Sequence, residues 1–222
     1  MRIYAVADIH GHPERMVRIQ ETIQALRPDL LVAAGDITRF THPEATLAQL
    51  SEMSLPVLAI RGNSDWSKVD TLIEQHPHIH SLHLKKVCVN GVGFVGINGT
   101  IPVPFRSRVS MKEKRSLDAL ESLLDGHSIL VAHPPPLGTL DEVFGRFHTG
   151  SRGLFELIAR CQPAMFICGH IHERPGSAFI GQTIVVNCNM GRTGSGAIID
   201  FEKGRSPEVR ILKGTHTPTH GG

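Results

Sequence analysis

DLLVAAGD, residues 29–36, is an apolar run that stops on Gly-Asp, and it is the middle one of three. RIYAVAD (2–8) precedes it and PVLAIRGN (56–63) follows. Between the first two runs, Met16, Ile19, Ile23 and Leu26 recur at helical spacing; between the last two, residues 43–53 form a second helical stretch. Strands alternating with helices imply βαβ units, so the first third predicts a parallel sheet.

The middle of the chain changes character. Residues 86–89 and 92–97 are short β-rich runs separated by Asn90-Gly91, a strong hairpin signal that brings in antiparallel pairing. After the loop IPVPFRSR (101–108), Leu117, Leu120, Leu123 and Leu124 mark another amphipathic helix, and 128–132 reads as a buried strand. A helix from about 153 to 160 then leads to the strand AMFIC (164–168) and to β-rich runs at 178–181, 183–187, 196–201 and 208–212. The pattern predicts one mixed α/β domain over residues 1–213, with two sheets face to face, helices outside and a frayed tail at 214–222.

Composition narrows the class. With 222 residues, 41% of them hydrophobic and 20% charged, the chain has the make-up of a globular protein that buries a full core. A formal charge of +2, from 23 Lys and Arg against 21 Asp and Glu, is too weak by itself to indicate nucleic acid, which requires a clustered basic surface. The four cysteines show no CxxC spacing, and no secretory signal or bilayer-length apolar run is evident, so a cytoplasmic protein without a membrane span is expected. Among 14 histidines, His76, His78 and His80 would align on one side of a strand as a solvated face.

The informative feature is positional. Polar residues of metal-ligand type stand where strands end: Asp8 and His10, Asp36, Asn63, His133, and His170 with His172. Loops beyond the carboxyl ends of strands form the binding crevice of open α/β sheets. Singly, Asp8 or Asp36 reads equally well as a helix or turn cap, and His133 as an ordinary satisfied histidine. Together they supply three carboxylate or amide oxygens and four imidazoles to one edge, too many for one divalent ion. Such a donor set suits two metals about 3.5–4 Å apart, clamping an in-line displacement at a phosphate ester.

The motifs DIH, GD, GNSD, AHPPP and GHIH, in that order, resemble the pattern of the calcineurin-like metallophosphoesterases, and of their small uncapped prokaryotic members in particular. The resemblance implies a four-layer αββα sandwich of two mixed β-sheets flanked by helices. It assigns Asp8, His10 and His172 to a first metal and Asn63, His133 and His170 to a second, with Asp36 bridging. The implied cofactors are two divalent ions from among Mn, Fe, Zn and Co, with Mn favoured. The implied reaction is hydrolysis of phosphomonoesters or phosphodiesters by a hydroxide shared between the ions. Arg61 matches an arginine that grips a phosphate oxygen.

One position departs from that pattern. Ser64 stands where the family commonly carries a histidine that protonates the leaving oxygen, and Asp65 is the carboxylate that would orient it. A serine hydroxyl does not titrate near neutrality and cannot inherit the task. His148 is the candidate replacement, with His12 second, because imidazole is the usual group for proton transfer at neutral pH. Two further readings stand beside the phosphoesterase: a nuclease using Arg106 and Arg108, and a non-catalytic scaffold of the same fold.

Overall fold

The computed structural model describes residues 1–40, 42–99, 111–191 and 194–213. Arg106, Arg108 and the tail from 214 to 222 lie outside the described residues. The first sheet takes β1 (Arg2–Val6), β2 (Leu30–Ala34), β3 (Val57–Ile60) and β4 (Ile79–Ser81) as parallel neighbours. Antiparallel β13 (Gly194–Asp200) and β14 (Glu208–Lys213) extend it beyond β1. The second sheet runs β11 (Gly176–Ile180), β12 (Thr183–Asn187), β10 (Met165–Cys168), β7 (Ile129–Ala132), β6 (Val92–Ile97) and β5 (Lys86–Val89), parallel from β12 to β6 and antiparallel at both edges. Each sheet is thus mixed and six strands wide.

Alternation along the strands explains the layers. In β1 and β2, Ile3, Ala5, Leu30 and Val32 face the other sheet, meeting Phe94, Ile129, Val131 and Ile167 in a central core. The intervening Tyr4, Val6, Leu31 and Ala33 pack outward on α1 (Pro13–Leu26), α2 (Pro43–Ser51) and α3 (Lys68–Gln75). On the far side Leu130, Ala132 and Phe166 pack against α4 (Met111–Leu123) and α5 (Arg152–Cys161). Strands buried on both faces need apolar residues at every position, which is why DLLVAAGD shows no polar alternation. The result is the expected αββα sandwich.

Asn90-Gly91 makes the expected hairpin, with φ of 50° and 77° at its two turn residues and Val89 paired to Val92. The histidine-rich stretch differs from expectation. His76 closes α3, His78 lies in a turn and only His80 enters β4, because α3 consumes the residues before it. The small hairpin of β8 (Glu142–Val143) and β9 (Phe147–His148) carries no periodic signal in the sequence, and α3 carries its apolar spacing over only Val69, Leu72 and Ile73. Among the described residues, no helix is long and apolar enough to cross a membrane.

Candidate metal centre

The two sheets are laced together where β1, β2, β7 and β10 end. His133 Nδ1 lies 2.9 Å from Ala34 O, and Met190 N donates to Ala7 O at 3.1 Å. Asp8 N donates to Gly35 O at 3.0 Å and His10 N to Asp36 O at 2.8 Å, so the first two loops are hydrogen-bonded side by side. Asp8, His10, Asp36 and His170 all adopt left-handed φ values, of 59°, 50°, 50° and 68°. Such backbone is costly for residues other than glycine and persists where surrounding structure enforces it, typically at functional sites. Neither carboxylate caps the helix that follows it, since the N-cap of α1 is His12 and that of α2 is His42.

Side chains from both sheets converge. Asp8 Oδ1 lies 3.3 Å from His172 Nε2, 3.8 Å from His133 Nε2 and 3.9 Å from His10 Nε2. Asp36 Oδ2 lies 3.3 Å from His133 Nε2 and 3.8 Å from His10 Nε2, so it faces a histidine from each expected set. Two triads hold ligand atoms mutually within 4.8 Å: Asp8, His10 and His172, and Asp8, Asp36 and His133. The His170 ring packs 5.1 Å from that of His133, and its backbone N–H donates to Asp8 Oδ2 at 2.9 Å. Asn63 is exposed between Gly62 and Ser64, both of which abut Asp36. A Cβ on Gly62 would fall 2.0 Å from Asp36 Oδ1, so only glycine allows this approach.

The donor chemistry calls for cations. Asp8 and Asp36 are almost fully buried, at 1% and 3% exposure, and face imidazoles rather than lysine or arginine side chains. Burial pushes the Asp8 carboxyl up, yet His172 and His133 outweigh it and hold the group below its ordinary value. Asp36 behaves alike, burial being overcome by His133 and Ser64. For His133, burial lowers the pKa, but Asp36 and Asp8 pull it up to about 9. Burial and the neighbouring His133 hold His170 below the usual imidazole value.

His133 also passes a sharper test. A carbonyl only accepts, so Nδ1 carries the proton shared with Ala34 O, the arrangement that orients metal-binding histidines. Its Nε2 is buried, has no hydrogen-bond partner among the described residues and lies 3.3 Å from Asp36 Oδ2 and 3.8 Å from Asp8 Oδ1. An orphaned buried nitrogen is expensive, and a divalent ion would satisfy it while meeting the carboxylate charge. The residues therefore fit the metals that the resemblance implies.

Comparison with known proteins agrees with this geometry. The model of the calcineurin-like phosphoesterase superfamily domain matches residues 1–191. The chain belongs to that superfamily. An uncharacterised protein of Methanocaldococcus jannaschii is 30% identical over 196 residues, spanning 84% of this chain and 87% of its own length. Among solved structures, TT1561 of Thermus thermophilus superposes with a TM-score of 0.70 at 17% identity, covering 96% of this chain and 99% of its own. A dimetal phosphatase from Danio rerio superposes at 0.65 with 12% identity, covering 96% of each chain. At these identities the structures attest to the fold.

Within this calcineurin-like chain the departure at Ser64 has a structural consequence. Ser64 N and Oγ both donate to Asp36, at 2.8 and 2.5 Å, so serine braces the carboxylate. Asp65 is turned to other partners: it is buried and accepts from Ile37 N, Thr38 N, Thr38 Oγ1 and Gly62 N at 2.7–3.0 Å. Arg61 is half tethered, its Nε 3.2 Å from Asp70 Oδ2 and its Nη1 3.2 Å from Asp65 O, while Nη2 has no hydrogen bond among the described residues.

His148 stands on β9, with Nδ1 2.7 Å from Asp141 Oδ1 and the side chain 54% exposed. Asp141 is 1% exposed, and its Oδ2 accepts from Gly138 N and Gly150 N, both at 3.0 Å. The loop holding this pair is closed just after His133 by Ser151 N to Pro135 O, 2.8 Å. It is tied to the loop after His172 by Arg174 and Glu142 at 2.5 Å. Asp141 escapes a reading of the sequence, since an Asp seven residues before a His carries no recognisable spacing. The same holds for Asn187 and Asn189, whose amides both donate to Ile171 O, at 2.9 and 2.6 Å, and so fix the turn between His170 and His172.

Proposed function

We propose that the chain is a dinuclear-metal-dependent phosphoesterase acting on phosphomonoesters or phosphodiesters. The convergence of two buried carboxylates on histidines from both sheets, with His133 Nε2 unpartnered, carries the reading. Asp8, His10 and His172 would hold one ion and Asn63, His133 and His170 the other, with Asp36 between them. Bound there, two ions supply an activated water and neutralise phosphate oxygens as an in-line displacement proceeds. Mixed oxygen and imidazole donors accept Mn, Fe, Zn or Co, and Mn is our choice for assay. Four unpaired cysteines fit a reducing, cytoplasmic setting. Purified protein should hydrolyse a panel of mono- and diesters with Mn²⁺ and lose all turnover on chelation. Persistent turnover without metal would refute the reading.

The chain's own groups divide the remaining work. Arg61 would offer its Nη2 to a non-bridging phosphate oxygen, positioned by Asp70 and the Asp65 carbonyl. Asp65 would support the reaction by holding the loops that carry Asp36 and Asn63. His148 would give a proton from Nε2 to the leaving oxygen, with Asp141 fixing its orientation. The bond to Asp141 and that carboxylate's charge raise the His148 pKa, which keeps the acid form present to higher pH.

His148→Ala should therefore slow alkyl esters about a hundredfold and spare p-nitrophenyl esters, whose leaving group needs little protonation. For the unmodified protein, the alkyl-ester rate should fall as pH rises through the raised His148 pKa. Asp141→Asn should move that fall to lower pH. Equal losses on alkyl and aryl esters in His148→Ala would count against the assignment.

A further inference from the structure

Phe40 is 69% exposed and Trp66 47%, and the two lie on the loops that carry Asp36 and Asn63. Phe40 ends the loop GDITRF that carries Asp36, and Trp66 follows GNSD directly. Their rings meet edge to face, with centroids 4.6 Å apart and planes at 75°. Asp65 binds Ile37 N and Thr38 N on one loop and Gly62 N on the other, so both aromatic residues are fixed relative to Asp36. Arg39, also exposed, lies between Thr38 and Phe40 and adds positive charge to the same rim.

We propose that Phe40 and Trp66 form a stacking platform for a planar π-group carried by the phosphate ester, making this site selective for aryl or nucleobase-bearing substrates. The inference rests on the phosphoesterase reading. A metal centre grips only the phosphate, which all esters share, so discrimination must come from what the rim touches beyond it. Exposed rings on the loops that carry Asp36 and Asn63 cost little to cover and favour a flat, apolar, polarisable partner. A base stacked on an aromatic side chain gains enough to change rates about tenfold. The occupant is the organic group of the substrate, because the platform is built on the same loops as Asp36 and Asn63 rather than on a remote face.

Leaving-group chemistry is held constant by comparing three diesters of p-nitrophenol: methyl, phenyl and thymidine 5′-. With metal-loaded protein, kcat/KM should be about tenfold higher for the thymidine ester than for the methyl ester. Trp66→Ala and Phe40→Ala should remove that preference and leave methyl-ester turnover unchanged. A phenyl ester matching thymidine supports the platform and identifies a general aryl site; a methyl-like phenyl ester supports it and identifies a nucleobase site.

Trp66 is the only tryptophan in the chain, which gives a readout apart from turnover. Its fluorescence should be quenched by adenosine 5′-monophosphate and not by ribose 5-phosphate. Equal turnover of all three esters with unchanged fluorescence would overturn the platform and leave the phosphoesterase intact. A shift in oligomeric state on Trp66→Ala, with ester preference unchanged, would also overturn it, marking a contact between copies. Failure of every ester would instead refute the phosphoesterase reading.

Discussion

Asp36→Asn should strip the protein of metal and lower phosphoester turnover at least about a hundredfold while leaving the fold in place. Removing a residue that merely orients a metal ligand typically costs 10–100-fold in affinity or activity, and a carboxylate between two ions should cost no less. The change keeps the side chain's shape. Its amide oxygen can accept from Ser64 N, where Asp36 Oδ1 now sits at 2.8 Å. Its NH₂ can face Ser64 Oγ, since a hydroxyl rotates to accept as readily as it donates. What is lost is the negative charge 3.3 Å from His133 Nε2 and 3.8 Å from His10 Nε2. Metal analysis by mass spectrometry should show depletion in step with activity, and the thermal midpoint of the metal-free protein should move little. An Asp36→Asn protein with full metal content and turnover would remove Asp36 from the centre.

The fold and the donor set were legible in the sequence for one reason: both depend on strand ends. Runs such as DLLVAAGD announce doubly buried strands by unbroken apolarity, and parallel strands must place their carboxyl ends along one edge. Candidate donors at those ends can thus be picked out from the sequence. What was hidden depends on side-chain direction. Asp65 stands next to Ser64 in sequence, yet its oxygens turn to Ile37, Thr38 and Gly62, while Ser64 turns to Asp36. Asp141 and His148 are seven residues apart and meet only because β8 and β9 pair, with Glu142 opposite His148. Helix α3 is only eight residues long, so its apolar spacing at Val69, Leu72 and Ile73 spans little more than one turn. Periodicity finds elements with a long buried face; it does not find a short helix or a two-residue strand.

The same observation gives Ser64 a physical account. The serine side chain is spent on Asp36, to which its hydroxyl and its backbone N–H both donate. With serine, the loop trades an acid for a brace on the carboxylate between the two donor sets. Under the proposed function proton supply falls to His148, which Asp141 holds through Nδ1.

Asp65→Ala should cost at least about 3 kcal/mol of stability, and its effect on turnover should follow from that rather than from leaving-group chemistry. Asp65 satisfies three buried backbone N–H groups, those of Ile37, Thr38 and Gly62, together with the Thr38 hydroxyl. Alanine leaves those donors without an acceptor, and each orphaned buried group costs about 1–3 kcal/mol. The hydroxyl can rotate to another partner, so the three amides set the total. Native domains hold only about 5–15 kcal/mol, so the loss should lower the melting temperature by roughly 10 °C. Asp65→Asn should fall between, because an amide oxygen still accepts from one pair while its NH₂ opposes donors on the other side. Activity should decline equally on alkyl and aryl esters, since the loops bearing Asp36 and Asn63 lose their common anchor. A variant with an unchanged melting temperature and a selective loss on alkyl esters would instead make Asp65 a partner of the leaving-group acid.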